Sequence, residues 1–324
     1  MPQPLVYLQE HDFDPDMVSH IVLTHGHKDH ISGMKDLIDK CSNAKVCLPE
    51  IFELESFKDL IDLQDDEMIE VNGVAQTKGL LSYIQEQKIK PWYLKSGDLL
   101  IDEEDLTIEV MSPNKHAAEY FNNIYKNEIT KAKQYFLDEN QGLKSYKIHA
   151  SNKFNLHSVV LKLTSNYFNI LLCADQVYSQ EDPNIGLKPI FERLHKNEVK
   201  FHVFKVPHHG SKTSYDFQDW SNSMVSENAL LKLTPYRANS YLPTLNDVNN
   251  ILSVSKNSWI TNKNIYEKKY PNPIINKRIK DQKLSIRLFD DLYGEIRIRG
   301  NTPQDLDLKC PQPSCNLKSL ITIS

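Results

Sequence analysis

The stretch "IVLTHGHKDHISG" (residues 21–33) limits this chain more than any other. It sets His25, His27, Asp29 and His30 within six positions, directly after a short apolar run. "VSHIVLTHG" (18–26) reads as a buried strand entering a loop, and "ISGMKDLIDKC" (31–41) carries Ile31, Met34, Leu37 and Ile38 at helical spacing. The polar cluster therefore sits where strand gives way to helix, and its side chains project from a rigid edge. His25 and His27 alternate in phase and face the same way. Asp29 and His30 are neighbours, so they are expected to point apart and to suit a second ion beside the first. Imidazole and carboxylate together suit Zn²⁺, Mn²⁺ or Fe²⁺. The lack of cysteine in the cluster argues against a purely structural zinc site.

Two ions need more ligands, and three later segments offer them. "NILLCADQ" (169–176) delivers Asp175 just after an apolar run, where a carboxylate is costly unless paired or metal-bound. With two oxygens it can bridge two cations. "FKVPHHGSKTS" (204–214) delivers His208 and His209 at the end of another apolar strand. Strand neighbours point to opposite sides, so one of the pair is expected to bind metal and the other to orient a ligand or act as acid or base. Lys205, Ser211 and Lys212 flank them, and this small, hydroxylated, cationic loop suits an anion such as a phosphate. "FNLHSVV" (154–160) offers His157, with Asn155 two positions earlier, as a third donor for the His25/His27 site.

Composition allows a large single domain: 324 residues, 40% hydrophobic and 25% charged. No apolar run approaches the roughly 18 residues that span a bilayer, and the opening "MPQPLVYLQEHDFDPD" has no signal-peptide pattern. Five cysteines, at 41, 47, 173, 310 and 315, are sparse and odd in number, which points to reduced thiols and a cytoplasmic setting. Charge is uneven: residues 1–150 hold 27 Asp/Glu against 15 Lys, whereas 251–300 hold 11 Lys/Arg against 5 Asp/Glu. The net of −5 excludes a generally basic nucleic-acid binder, but the basic stretch suits a polyanion locally. Strand and helix patterns mix throughout, which gives an α/β or α+β class. The expected layout is one domain over 1–300 with a charged, helix-prone surface excursion over 115–152, a hairpin from 284–290 and 294–300, and an irregular tail over 301–324. Aromatic residues of 120–136 recur at helical spacing and are expected to pack rather than to stack on bases.

Taken together, His25, His27, Asp29, His30, Asp175 and "PHHGS" (207–211) resemble the metallo-β-lactamase-fold hydrolases. Within them the chain looks most like the branch related to the hydrolase domain of competence DNA-uptake channel proteins. "THGHKDHISG" resembles that branch's metal motif, and "NLHSVVLKL" its N-x-x-S strand through Asn155 and Ser158. "LLCADQ" resembles its Leu-Leu-x-Gly-Asp strand, with Ala174 where glycine is usual. The resemblance runs over roughly residues 5 to 265. It implies a four-layer αββα sandwich and two divalent ions, zinc foremost, sharing an activated water. His25, His27 and a third donor would hold one ion. Asp29, His30 and one of His208/His209 would hold the other, with Asp175 between them. Asp29 and the remaining histidine would move protons, and Lys205, Ser211 and Lys212 would grip an anionic substrate. Phosphodiester hydrolysis, nucleic acid included, is the implied reaction. Thioesters and other esters or amides are the alternatives, as is an impaired member that only binds metal or a partner. Three departures stand out. The usual opening hairpin is missing, the third donor is ambiguous between Asn155 and His157, and "SYLPTLND" (240–247) lacks the branch's later histidine.

Overall fold

The structure, a computed structural model, describes residues 2–63, 69–71, 73–137, 146–224, 228–237, 241–261, 297–299, 307–309 and 315–316. It divides into two compact units, Met1–Lys162 with Ala174–Glu192, and Leu163–Cys173 with Arg193–Ser324. Both mix helices and strands, as the patterns predict.

The first unit opens with helix α1 (Gln3–Glu10), and its first strand is β1 (His20–Val22). Then follow α2 (Lys28–Ile31), α3 (Met34–Lys40), β2 (Lys45–Pro49), α4 (Glu55–Asp62), β3 (Ile69–Val71), α5 (Ala75–Glu86) and β4 (Trp92–Leu94). Strands β1, β2 and β4 pair in parallel, with Ile21 opposite Val46 and Leu48 opposite Tyr93. Val46, Cys47 and Leu48 are buried in succession, the pattern of a strand covered on both faces. β5 (Leu99–Asp102) and β6 (Leu106–Ser112) form an antiparallel pair.

Next comes α6 (Lys115–Leu137), a helix of 23 residues, and β7 (Tyr146–Ile148), which pairs in parallel with β3. The expected surface excursion is corrected here. Ala117, Phe121, Tyr125, Ile129 and Ala132 form one buried stripe of α6 within the main core. Tyr125 lies against Phe121, at 5.9 Å between ring centroids, and against Phe57 of α4, at 5.4 Å. Charged residues fill the other faces, so average composition hides a stripe that recurs about every fourth position.

Strand β8 (Val160–Ser165) begins in the first unit and ends in the second, where β9 (Asn169–Leu172) follows. Helix α7 (Leu187–Lys196) crosses the boundary in the same way. The second unit continues with β10 (Val203–Lys205), α8 (Phe217–Ser223), β11 (Leu230–Leu233), β12 (Tyr236–Arg237), β13 (Tyr241–Leu242), α9 (Leu245–Val254) and β14 (Ser258–Ile260). β9, β10, β11 and β14 run parallel, with Val203 opposite both Ile170 and Leu230. Leu171, Phe204, Leu231 and Ser258 are wholly buried. Thr244 and Asp247 cap α9 reciprocally.

β15 (Arg297–Arg299) pairs antiparallel with β16 (Asp307–Lys309), and β17 (Cys315–Asn316) adds antiparallel to β14. The stretch read as an irregular tail thus contributes strands, each too short to leave a periodic trace. Residues 284–290 of the expected hairpin lie outside the described residues. Among the described residues, no helix is long and apolar enough to cross a membrane.

If α6 belongs to the core, Phe121→Ala should cost about 3–5 kcal/mol in denaturant unfolding, whereas Lys133→Ala on an exposed position should change stability by less than about 0.5 kcal/mol. Equal, small effects from both would return α6 to the surface.

Candidate metal centre

Past β1 the backbone stays tied to its neighbours. Leu23 N–H donates to the Cys47 carbonyl and Val159 N–H to the Thr24 carbonyl, at 2.9 and 2.8 Å. His25 then turns inward and is fully buried. Gly26 leaves no room for a side chain, because a Cβ there would sit 2.7 Å from the Phe154 ring. His27 precedes α2, and its ring lies 5.6 Å from that of Phe154.

The donors gather closely. His25 Nε2 and His27 Nδ1 are 2.9 Å apart, a distance that needs either a shared proton or a shared cation between two ring nitrogens. Thr24 Oγ1 is 3.2 Å from His25 Nδ1 and 3.0 Å from His30 Nδ1. Where this hydroxyl oxygen accepts from both Nδ1–H groups, the lone pairs stay on Nε2, the form a metal takes. His30 Nε2 lies 3.4 Å from Asp175 Oδ2 and 3.8 Å from Asp29 Oδ2. One donor atom each from His25, His30 and Asp175 falls within 4.8 Å of the others. The expectation that Asp29 and His30 point apart is corrected. They belong to the turn of α2, not to a strand, so alternation does not apply. Burial, and after it the neighbouring His30, hold the His25 pKa well below the usual imidazole range, with Asp175 partly offsetting them.

Asp175 is 4% exposed and follows Ala174, whose φ of 47° is left-handed. Glycine adopts that conformation freely; alanine does so at about 1–2 kcal/mol. The unusual alanine therefore occupies a position whose backbone favours glycine.

His157 and Asn155, the two alternatives for a third donor, sit in different surroundings. His157 is fully buried between Phe121, at 4.8 Å, and Phe154, at 5.4 Å, and neither ring nitrogen has a hydrogen-bond partner among the described residues. The Asn155 Oδ1 and Ser158 Oγ atoms are buried and unpartnered as well. His157 interacts electrostatically with His25 and His27. A buried imidazole with neither nitrogen bonded among the described residues is compatible with a cation ligand. Burial pushes the His157 pKa down to about 3.

In the second unit, β10 ends at Lys205, and His208, His209 and Gly210 take left-handed φ values of 40°, 55° and 72°. The expected strand alternation of the two histidines is therefore replaced by a strained turn, the kind of backbone held in place at functional sites. His209 Nδ1–H donates to the Thr234 carbonyl at 3.0 Å, which places the ring's lone pair on Nε2, and the ring stacks on Tyr236 at 4.9 Å. His208 Nδ1 instead faces the hydroxyls of Ser211, at 2.8 Å, and Thr213, at 3.2 Å. Lys205 Nζ donates to the Val206 carbonyl at 2.8 Å, whereas Lys212 is exposed.

Thr24, Thr234 and Gln176 were not singled out by sequence reasoning, although Thr24 carried a signal in its place in the histidine stretch; Thr213 entered only as part of the hydroxylated loop. The remaining histidines have local roles: His116 pairs with Asp182 at 2.7 Å, His195 meets Ser223 Oγ at 3.0 Å, and His202 Nδ1 accepts from Asn169 N–H. Cys41, Cys47 and Cys173 are buried free thiols, and Cys310 lies outside the described residues.

Residues 2–115 match the family model of the metallo-beta-lactamase superfamily. That span contains His25 to His30. The hydroxyacylglutathione hydrolase of Aliivibrio fischeri (strain ATCC 700601 / ES114) is 30% identical over 88 residues, which cover 25% of this chain and 34% of the relative. The match thus spans about a third of that protein's length.

In the unfolded chain His157 binds a proton below about pH 6.5, but in the folded chain only below about 3. Between those values the unfolded state holds more protons, so stability of metal-free protein falls as pH drops. His157→Leu should reduce that slope, by up to about 1.4 kcal/mol per pH unit. Denaturant midpoints measured from pH 7 to 4.5 in chelator would show it; identical slopes would mean that His157 is not sequestered.

Proposed function

We propose that this chain is a metal-dependent hydrolase that cleaves phosphodiester bonds. One observation carries the hydrolase reading. His25, His30 and Asp175 bring donor atoms within 4.8 Å of one another, beside a buried His157 whose ring nitrogens have no described partner. In this reading His25, His27 and His157 would hold one divalent ion, and Asp29, His30 and Asp175 would serve a second. The nitrogen and oxygen donors suit zinc first, then manganese or iron. Such ions, when bound, lower the pKa of a water and offset charge on the reacting oxygens.

The protein's own groups do the rest. Asp29, half exposed, accepts a proton from the attacking water or orients it. His208, tied to Ser211 and Thr213, returns a proton to the leaving oxygen. Lys212 and the backbone of the following turn meet the anionic group. Lys205 acts through the turn, because its ammonium is bonded to the Val206 carbonyl. The phosphodiester preference rests on the "PHHGS" motif and on the basic stretch 251–300, and it extends to single-stranded nucleic acid as a substrate.

A second reading, hydrolysis of a thioester, draws on the relative that hydrolyses hydroxyacylglutathione. The same donors would serve it, since both reactions pass through an anionic centre. Zinc- or manganese-loaded protein given bis(p-nitrophenyl) phosphate, single-stranded DNA and an acylglutathione separates the two. The proposal expects phosphodiester turnover that Asp175→Ala and His27→Ala each reduce by more than the roughly 100-fold typical of losing an outer partner. Turnover of the thioester alone would select the second reading, and loading without turnover of any ester would leave a metal-binding module.

A further inference from the structure

Gln176 follows Asp175 directly, is wholly buried, and has no part in the chemistry proposed above. Its Nε2 donates to Ser112 Oγ at 2.7 Å and, at a longer 3.4 Å, to the Ser158 carbonyl. Its Oε1 accepts from Val177 N–H at 3.3 Å. Two of these partners lie on other segments of the first unit, and Val177 is the next residue of Gln176's own. Ser112 ends β6, Ser158 follows His157, and Val177 continues the loop beyond Asp175. Burying a primary amide costs roughly 1–3 kcal/mol unless its hydrogen bonds are made, so an apolar side chain would fill the same space more simply.

The segments that carry the donors are linked in series. The Thr24 carbonyl accepts from Val159 N–H, which ties the His25 segment to the residue pair after His157. The Ser158 carbonyl then accepts from Gln176, which ties the His157 segment to Asp175. Ser112 anchors the far end. Without the last link, His157 has no described side-chain bond to orient its ring, and Asp175 emerges from a left-handed residue whose backbone is strained.

We propose that Gln176 is a positioning residue. It sets the spacing between the Asp175 carboxylate and the His157 imidazole by clamping their backbones together and to β6. This rests on the reading of both as ligands of one centre. A side chain that merely fills the core would support the whole unit evenly, whereas this one acts on two short segments.

The test uses the full chain with Gln176→Met, which keeps the side chain's size and removes both hydrogen-bonding ends. Ser112→Ala breaks the same 2.7 Å bond from the other side and serves if the first variant folds poorly. Hydrogen–deuterium exchange of metal-free protein should rise in peptides covering 157–159 and 174–178, and stay at wild-type level in α4 and α6. Zinc affinity, measured by competition with a chelator, should fall about 10- to 100-fold, as for outer partners of known metal sites. Unchanged exchange in both segments, or a rise throughout the unit, overturns the proposal. So does wild-type zinc affinity in both variants. If wild-type protein takes up no zinc, the metal reading fails on its own, and the exchange pattern still decides whether Gln176 clamps the two segments.

Discussion

The hydroxyl of Thr24 lies between two imidazoles, and the chemistry of the centre depends on which ring nitrogens it occupies. When it accepts from Nδ1 of both His25 and His30, their Nε2 lone pairs face His27 and Asp175 respectively. Rings turned over would present N–H groups to that space, and the donors would repel a cation. The constraint is local, since the threonine and both histidines share seven positions of chain. Gly26, next to His25, lets the Phe154 ring pack closely against the same loop.

Burial supplies the second half of the arrangement. His157 sits among Phe52, Phe121 and Phe154, an environment that disfavours the imidazolium form. A neutral, desolvated imidazole has no proton to lose before binding a cation, so metal competes with less at neutral pH. The fold bears a cost for this. Asn155, His157 and Ser158 hold buried polar atoms with no described partner, and each is worth of order 1–3 kcal/mol of lost stability. Left-handed alanine and two left-handed histidines add backbone strain.

Much of the centre was legible because its chemistry is local in sequence. Three histidines and an aspartate after an apolar run, and a carboxylate closing another, need no tertiary information to be read. The surroundings of Asn155 and His157 did need it, since only the fold shows that the aromatic core encloses His157. The same holds for Gln176, whose partners are 18 and 64 positions away. Strand alternation misled at His208 and His209, because the chain leaves the extended state after Lys205. It misled at Asp29 and His30 for a similar reason, a helical turn. The α6 core stripe was visible in its aromatic spacing, but the charged majority of the segment argued for the surface.

X-ray absorption at the zinc edge of loaded protein tests the central claim most directly. A shell of nitrogen and oxygen alone, with the outer scattering of at least two imidazoles, is the predicted result, and His157→Leu should weaken that imidazole signal. Sulfur in the shell would move the metal to one of the cysteines and contradict the account, as would a zinc shell without imidazole.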